Sequence, residues 1–356
     1  MRKMLITGSS GLIGAELVSF FAEREWKVFG VDNNMREAFF GPEGNTDWNL
    51  KRLIEKYPHF HHFDFDIRDR EDISGIVRKI KPDAIVHAAA QPSHDWASKK
   101  PLDDFDINAV GTLNLLEASR LTNPDVPFVF LSSNKVYGDA INNLKLEESA
   151  TRWDYADKTY HNGIKEDFGI DRSKHSVFGA SKLAADIMVQ EYGRFFGMPS
   201  CCLRCGCLTG PGHSGVELHG FLSFLIKCHM EDRTYKINGY KGKQVRDNLH
   251  SLDVALFIDQ FLRNPRVAEI YNLGGGRKNS ISILEAFDLI ESISGKKMRH
   301  AYSPKNREGD HICYISDLSK AKKDFPSWSV TKDLKTIFEE ISEAWLRRNG
   351  TAGKRP

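Results

Sequence analysis

Residues 3–7 (Lys-Met-Leu-Ile-Thr) are a short apolar run that stops at a glycine. A run of this length, apolar throughout and closed by a turn residue, predicts a strand buried on both faces of a parallel sheet. Gly8-Ser-Ser-Gly11-Leu12-Ile13-Gly14 follows, then an amphipathic segment to about Arg24 that predicts a helix. Further apolar runs at 26–31, 60–65, 84–90 and 128–133 end respectively at Asp32, at Asp66-Ile67, in His87-Ala88-Ala89-Ala90 and in Ser132-Ser133. Between the last two, residues 105–120 have helical periodicity, with Asn108 and Asn114 at positions the apolar stripe does not need. Strands alternating with helices at this spacing predict an α/β protein built on a doubly wound parallel sheet. Ligands of such sheets bind beyond the carboxyl ends of the strands, which gathers Gly8, Asp32, Ala89, Ser133 and residues 178–182 around one crevice.

The pattern changes in the second half. Residues 139–173 are polar and turn-rich but carry Trp153, Tyr155 and Tyr160, which suits a functional loop better than a disordered one. From about 200 the elements shorten, separated by Gly210-Pro-Gly212, Asn238-Gly239 and Gly274-Gly-Gly276. The expected organisation is a dinucleotide-binding domain over 1–200 and a smaller substrate domain over 201–350, interleaved with the first.

Composition narrows the class without changing the fold. With 40% apolar and 28% charged residues and a net charge of +2 over 356 residues, the chain reads as an ordinary globular protein. That balance gives no electrostatic case for nucleic acid or an anionic membrane as partner. No run approaches the ~20 apolar residues of a membrane span, and the first apolar run is too short for a signal-peptide core, so a cytoplasmic protein is expected. The basic end, 347–356, reads as a frayed terminus. Of six cysteines, Cys201, Cys202, Cys205 and Cys207 crowd one segment, and Cys202 and Cys205 form a C-x-x-C. The segment reads as a buried strand and no second pair lies at zinc-finger distance, so a structural role is expected and no metal.

The glycines carry the first chemistry. In a strand–turn–helix that holds a pyrophosphate, Gly8 turns tightly, Gly11 lets the backbone approach the phosphates, and Gly14 lets helix and strand pack. The start of the helix, at Leu12 and Ile13, then faces the anion. Asp32, about 18–20 residues on, suits a ribose hydroxyl pair and repels a 2′-phosphate, so NAD is favoured over NADP. Asn33 follows it; Asp66 is placed to meet the adenine amino group, with Ile67 beside it. Ala88, Ala89, Ala90, Asn108, Ser132 and Lys182 complete the expected cofactor set.

These motifs, taken in order with Ser132-Ser-Asn-Lys-Val-Tyr-Gly138, Arg246-Asp-Asn-Leu-His-Ser-Leu-Asp253, Asn272-Leu-Gly-Gly-Gly276 and Arg307-Glu-Gly-Asp310, resemble the extended short-chain dehydrogenases/reductases over nearly the whole chain. Within them the chain is similar to the NAD-dependent epimerases and dehydratases of nucleotide-sugars. Where 4,6-dehydratases of this family carry threonine, aspartate and glutamate, this chain carries Ser133, Asn134 and Lys135. An amide and an ammonium do not replace an acid/base carboxyl pair, which disfavours a dehydratase. With Gln91 and Gly111-Thr-Leu-Asn-Leu-Leu-Glu117, the resemblance is strongest to the CDP-paratose (CDP-tyvelose) 2-epimerases. It implies tightly held NAD, a nucleoside-diphosphate sugar oxidised to a keto sugar and reduced again, and a homodimer through helices near 105–120 and 178–195. It also implies substrate contacts at Gln91, Ser133, Asn134, Lys135, Arg204, Arg246, Arg307 and Asp310.

Phe178 departs from that pattern. Four residues before Lys182, the family places a tyrosine whose hydroxyl moves the proton, and a phenyl ring neither donates nor accepts one. Three readings stay open: a substitute base among Tyr160, Asp171 and His175; Lys182 itself, with Ser133 holding the reacting oxygen; or a silent site in a nucleotide-sugar-binding or regulatory protein. A 4-epimerase or dehydratase with a substitute base is the remaining enzymatic alternative.

Overall fold

The computed structural model describes residues 1–307 and 309–350; Glu308 of the Arg307–Asp310 run and the last part of the basic end, 351–356, lie outside the described residues. Seven strands form one sheet: β1 (Lys3–Thr7), β2 (Lys27–Val31), β3 (His61–Phe63), β4 (Ala84–His87), β5 (Phe128–Ser133), β6 (Ser200–Cys205) and β7 (Glu269–Leu273). Their spatial order is β7-β6-β5-β4-β1-β2-β3, every neighbour parallel. Strand order reverses between β1 and β4, and that switch point opens a crevice at the carboxyl ends of both.

The alternation of β1 explains why its run is apolar throughout. Met4 and Ile6 enter one core with Leu17, Phe21 and Phe257, while Leu5 enters the opposite core with Val77, Leu115 and Val189. Helix α1 (Leu12–Ala22) buries Leu17, Val18, Phe20 and Phe21 against the sheet. The long helix α2 (Ser176–Phe196) buries Phe178, Lys182, Ala185 and Val189 on the other side and ends at Gly197 in the left-handed region, φ 75°.

Several sequence expectations are refined. The helix expected over 105–120 contains a wide turn over Asp106–Val110 before the regular segment Gly111–Thr122. Asn114 is used there: its amide donates to the carbonyls of Ile67 and Arg68 at 3.1 Å each. The run at 84–90 leaves the sheet at His87, so Ala88–Ala90 form a turn over the crevice. Residues 139–173 are built rather than open, with a hairpin of Leu146–Glu148 against Trp153–Tyr155 and an aromatic cluster of Tyr137, Tyr155, Tyr160 and Phe168.

Beyond residue 200 the chain does not leave the first sheet for good, since β6 and β7 complete it. Between them, strand Val245–His250 pairs with Cys207–Thr209, Ser280–Ser282 and Cys313–Tyr314 to make a second, smaller sheet. A separate core of Leu222, Leu225, Phe287 and Phe338 supports this part. Among the described residues no helix is long and apolar enough to cross a membrane.

Candidate active site

The crevice is a cleft of about 460 Å³ between the carboxyl ends of the strands and the second sheet. Its cofactor half is set by backbone geometry. Gly8 has φ +70°, and a Cβ there would lie 2.7 Å from the Ala89 amide nitrogen. A Cβ on Gly14 would overlap the Gly8 carbonyl. The turn therefore packs directly against Ala88–Ala89 and α1, and α1 begins with no side-chain cap on its first amides. Free amides and the positive end of the helix dipole face the cleft beside Gly11, Leu12 and Ile13.

Asp32 stands at the end of β2 with Oδ2 accepting from the Ser10 amide (2.9 Å) and Oδ1 from the Asn34 amide (2.8 Å). Burial raises its pKa, opposed by these two amides. A ribose diol would donate to such a fixed, buried carboxylate. Further along the wall, Asp66 accepts from Asn33 (3.3 Å) and is held by Arg68 at 2.7 Å, next to Ile67. The residues present fit a dinucleotide with a free 2′-hydroxyl, whose nicotinamide supplies a hydride acceptor when bound.

The reacting half lies beyond β5. Ser133 Oγ accepts from the Lys135 amide at 3.2 Å, fixing the turn that presents Ser133, Asn134 and Lys135 to the cleft. Lys182 reaches in from α2, its Nζ donating to the Leu131 carbonyl at 2.7 Å and resting 4.1 Å from the Phe130 ring centroid. Burial pushes this ammonium down to about 8. Phe178, one turn earlier, also lines the cleft and is only 7% exposed. Ser132 lines it too, while its hydroxyl donates to Asp186 at 2.5 Å.

Opposite lies a group of cations. Lys135 Nζ donates to the Gly309 carbonyl at 3.0 Å, and burial, opposed by Asp310, pushes it down to about 8. Arg246 pairs with Asp310 at 2.5 Å, and Arg307 with Asp95 at 3.0 Å. Burial would raise the Asp310 pKa, but Arg246, Lys135 and Arg307 outweigh it and hold the carboxyl well below its ordinary range. Three cations against the two carboxylates they meet, Asp310 and Asp95, leave net positive charge, which suits a diphosphate.

The remaining expected residues lie elsewhere. Gln91 is fully buried behind the Ala88–Ala90 turn, its amide donating to Asp104 (2.6 Å) and the Ser93 carbonyl (2.9 Å). Asn108 accepts from the Gln91 amide at 2.9 Å and donates to Asp104 (3.1 Å) and Ser181 (3.0 Å). Neither lines the cleft, and both support its wall with polar atoms bonded to protein. Arg204 likewise does not line the cleft: it is 2% exposed, paired with Asp186 at 2.9 Å, and its guanidinium lies 5.0 Å from the Tyr137 ring centroid. Burial lowers its pKa, but Asp186 outweighs this and raises it overall. Tyr160 packs against Tyr155 and Phe168 away from the cleft. Asp171 is exposed on the loop, and His175 sits just before α2 with Nε2 buried and unpartnered among the described residues. None of these three lines the cleft. The C-x-x-C thiols of Cys202 and Cys205 are buried and donate to the carbonyls of Asp186 and Leu203 at 3.3 Å each.

Sequence reasoning missed His94. It lines the cleft, and its ring meets the edge of Phe178 with centroids 4.9 Å apart. A lone histidine in a polar stretch carries no periodic signal, so only the fold brings it to notice.

The model of the NAD dependent epimerase/dehydratase family matches residues 4–274. The chain belongs to the NAD-dependent epimerase/dehydratase family. A CDP-paratose 2-epimerase of Salmonella typhi is 33% identical over 325 residues, covering 89% of this chain and 92% of the relative. A UDP-glucuronate 4-epimerase of Thermodesulfobacterium geofontis is 28% identical, covering 90% and 88%. Among solved structures, a Tyr-to-Phe mutant of UDP-glucuronic acid 4-epimerase from Bacillus cereus, in complex with UDP-4-deoxy-4-fluoro-glucuronic acid and NAD, superposes with a TM-score of 0.78. It is 25% identical, and the match covers 98% of this chain and all of the other. The turn at Gly8, Asp32 and the start of α1 fit the NAD that this family uses.

Proposed function

We propose that this family member epimerises a nucleoside-diphosphate sugar in the manner of a CDP-paratose 2-epimerase: a secondary alcohol is oxidised to a ketone and reduced again on the other face. The observation that carries the reading is the step Ser133-Asn134-Lys135 at the head of the cleft. Elimination of water across a sugar ring needs an acid and a base. An amide and an ammonium stand where dehydratases of the family carry carboxyls. The 33% identity to a CDP-paratose 2-epimerase supports the same choice.

In this reading Lys135, Arg246 and Arg307 hold the diphosphate, Ser133 donates to the reacting oxygen, and Lys182 holds the nicotinamide ribose. We further propose a homodimer. Leu102, Phe105, Leu121, Phe195 and Phe196 are exposed on the helices around 101–122 and on α2, where a second copy would cover them. Six free thiols support a reducing, cytoplasmic setting.

Phe178 favours one rival, a site that binds a nucleotide-sugar without turnover. Incubation of the NAD-loaded protein with CDP-, UDP- and GDP-sugars, followed by NMR of the products, separates the two. The expected result is a C2 epimer from a CDP-sugar. Measurable binding across the panel with no product would establish the silent site instead.

A further inference from the structure

Oxidising a sugar alcohol requires an acceptor for its hydroxyl proton, and the phenyl ring of Phe178 cannot serve. Three features meet beside that ring. His94 opens the short helix His94–Lys99 just past the Ala88–Ala90 turn and lays its imidazole against the edge of Phe178, centroids 4.9 Å apart with planes at 66°. Its Nδ1 lies 2.9 Å from Ser176 Oγ. Its Nε2 has no protein partner among the described residues, and the residue lines the cleft with Ser133, Lys135 and Phe178.

Ser176 makes this contact from a strained backbone. It has φ +61°, a left-handed conformation that side chains other than glycine avoid, and it does so at the first residue of α2. That turn places Oγ between the His94 ring and the Gly179 amide, which donates to it at 3.3 Å. With one lone pair taken by Gly179, the hydroxyl oxygen keeps a second with which to accept from Nδ1–H, and in that tautomer the Nε2 lone pair is left for the cleft that His94 lines. On the far side of Ser176 a second cavity of about 200 Å³ is lined by Asp139, Asn142, Lys174, Tyr240 and Asp310. It is polar and large enough for water, so the Ser176 hydroxyl hydrogen has somewhere to point.

We propose that His94 is the catalytic proton acceptor and donor of this site, in place of the missing hydroxyl at position 178, and that Ser176 is its positioning residue. The inference rests on the epimerase reading above. In the oxidation step the sugar hydroxyl loses its proton to Nε2 as the carbinol carbon gives its hydride to the oxidised nicotinamide, and the C–O bond becomes a ketone. In the return step the imidazolium gives the proton back to the oxygen as the carbon regains hydride.

The charge environment suits the role. Burial pushes the His94 imidazole down to about 3, with Lys135 and Arg307 adding to this and Asp310 and Asp95 opposing; His219 also faces it. The ring is thus neutral and able to accept a proton in the free protein. A substrate diphosphate beside Lys135 and Arg307 would offset the two charges that add to the depression, while burial, its largest cause, stays in place.

Two measurements test this. The first is single-turnover appearance of reduced-nicotinamide absorbance on mixing NAD-loaded protein with whichever sugar the panel identifies. His94→Gln should slow it roughly 10²–10⁴-fold, the usual weight of a general base, with melting temperature and NAD binding retained. Imidazole in the buffer should restore part of the rate to His94→Ala, and Ser176→Ala should slow the step less and displace its pH profile. An unchanged rate in His94→Gln overturns the proposal, as does loss in Lys135→Met without loss in His94→Gln.

The second needs no turnover. In ¹⁵N-histidine-labelled protein, His94 should show the Nδ1–H tautomer, should lose that preference in Ser176→Ala, and should respond to added CDP. An Nε2–H tautomer sinks the proposal whether or not a sugar reacts. Failure of every sugar with the expected tautomer present would instead count against the epimerase reading.

Discussion

Replacing Arg204 by leucine separates what the family resemblance implies from what the packing implies. As a substrate contact, Arg204 would be expected to change KM and leave the fold alone. In the structure its guanidinium is paired with a fully buried carboxylate, Nη2 to Asp186 Oδ1 at 2.9 Å and Nε to Oδ2 at 3.2 Å. Removing it leaves Asp186 with the Ser132 hydroxyl at 2.5 Å and the Gln190 amide at 2.7 Å, neither of them charged. Breaking a buried pair on one side costs about 3–5 kcal/mol. At about 2–4 °C per kcal/mol for a large domain, Arg204→Leu should lower the melting temperature by roughly 6–20 °C. Removing both charges, Arg204→Leu with Asp186→Leu, should recover much of that, because no lone charge remains buried. The assay is urea or thermal unfolding by circular dichroism, with KM measured well below the melting point. A variant that melts like the parent but binds nucleotide-sugar about tenfold more weakly would refute the reasoning and return Arg204 to the cleft.

Three further outcomes are expected. Gly14→Ala drives a Cβ into the Gly8 carbonyl, so NAD affinity should fall by at least an order of magnitude in fluorescence titration, with some loss of stability. For pH, Lys135 and Lys182 both sit near 8 when folded, against an ordinary value of about 10.4. Between those values the unfolded chain binds more protons than the folded one, so stability should rise with pH across that window. Loss of the Lys135 charge above 8 should raise KM for an anionic substrate over the same range, and Lys135→Met should flatten that part of the profile. Phe178→Tyr should leave turnover equal or lower, since the added hydroxyl crowds a site already served by His94; a large gain in rate would show that only the hydroxyl was lacking.

Much of the fold and half of the site were legible in order along the chain. The alternation of Met4, Leu5 and Ile6 between two cores and the steric demand at Gly8 and Gly14 are local, so short patterns report them. Asp32 belongs with them, because the end of a strand following that turn returns to the same crevice whatever the rest of the chain does. The proton chemistry was not legible. Gln91, Asn108 and Arg204 match family motifs, yet each spends its polar atoms on buried partners that sequence spacing does not reveal. His94 and Ser176 are 82 residues apart and meet only because the turn after β4 and the start of α2 converge on Phe178. The sequence by itself determined the sheet, the NAD turn and the absence of a hydroxyl at position 178. Tertiary packing decided which buried polar groups were already satisfied and that His94, rather than His175, lines the cleft beside Phe178.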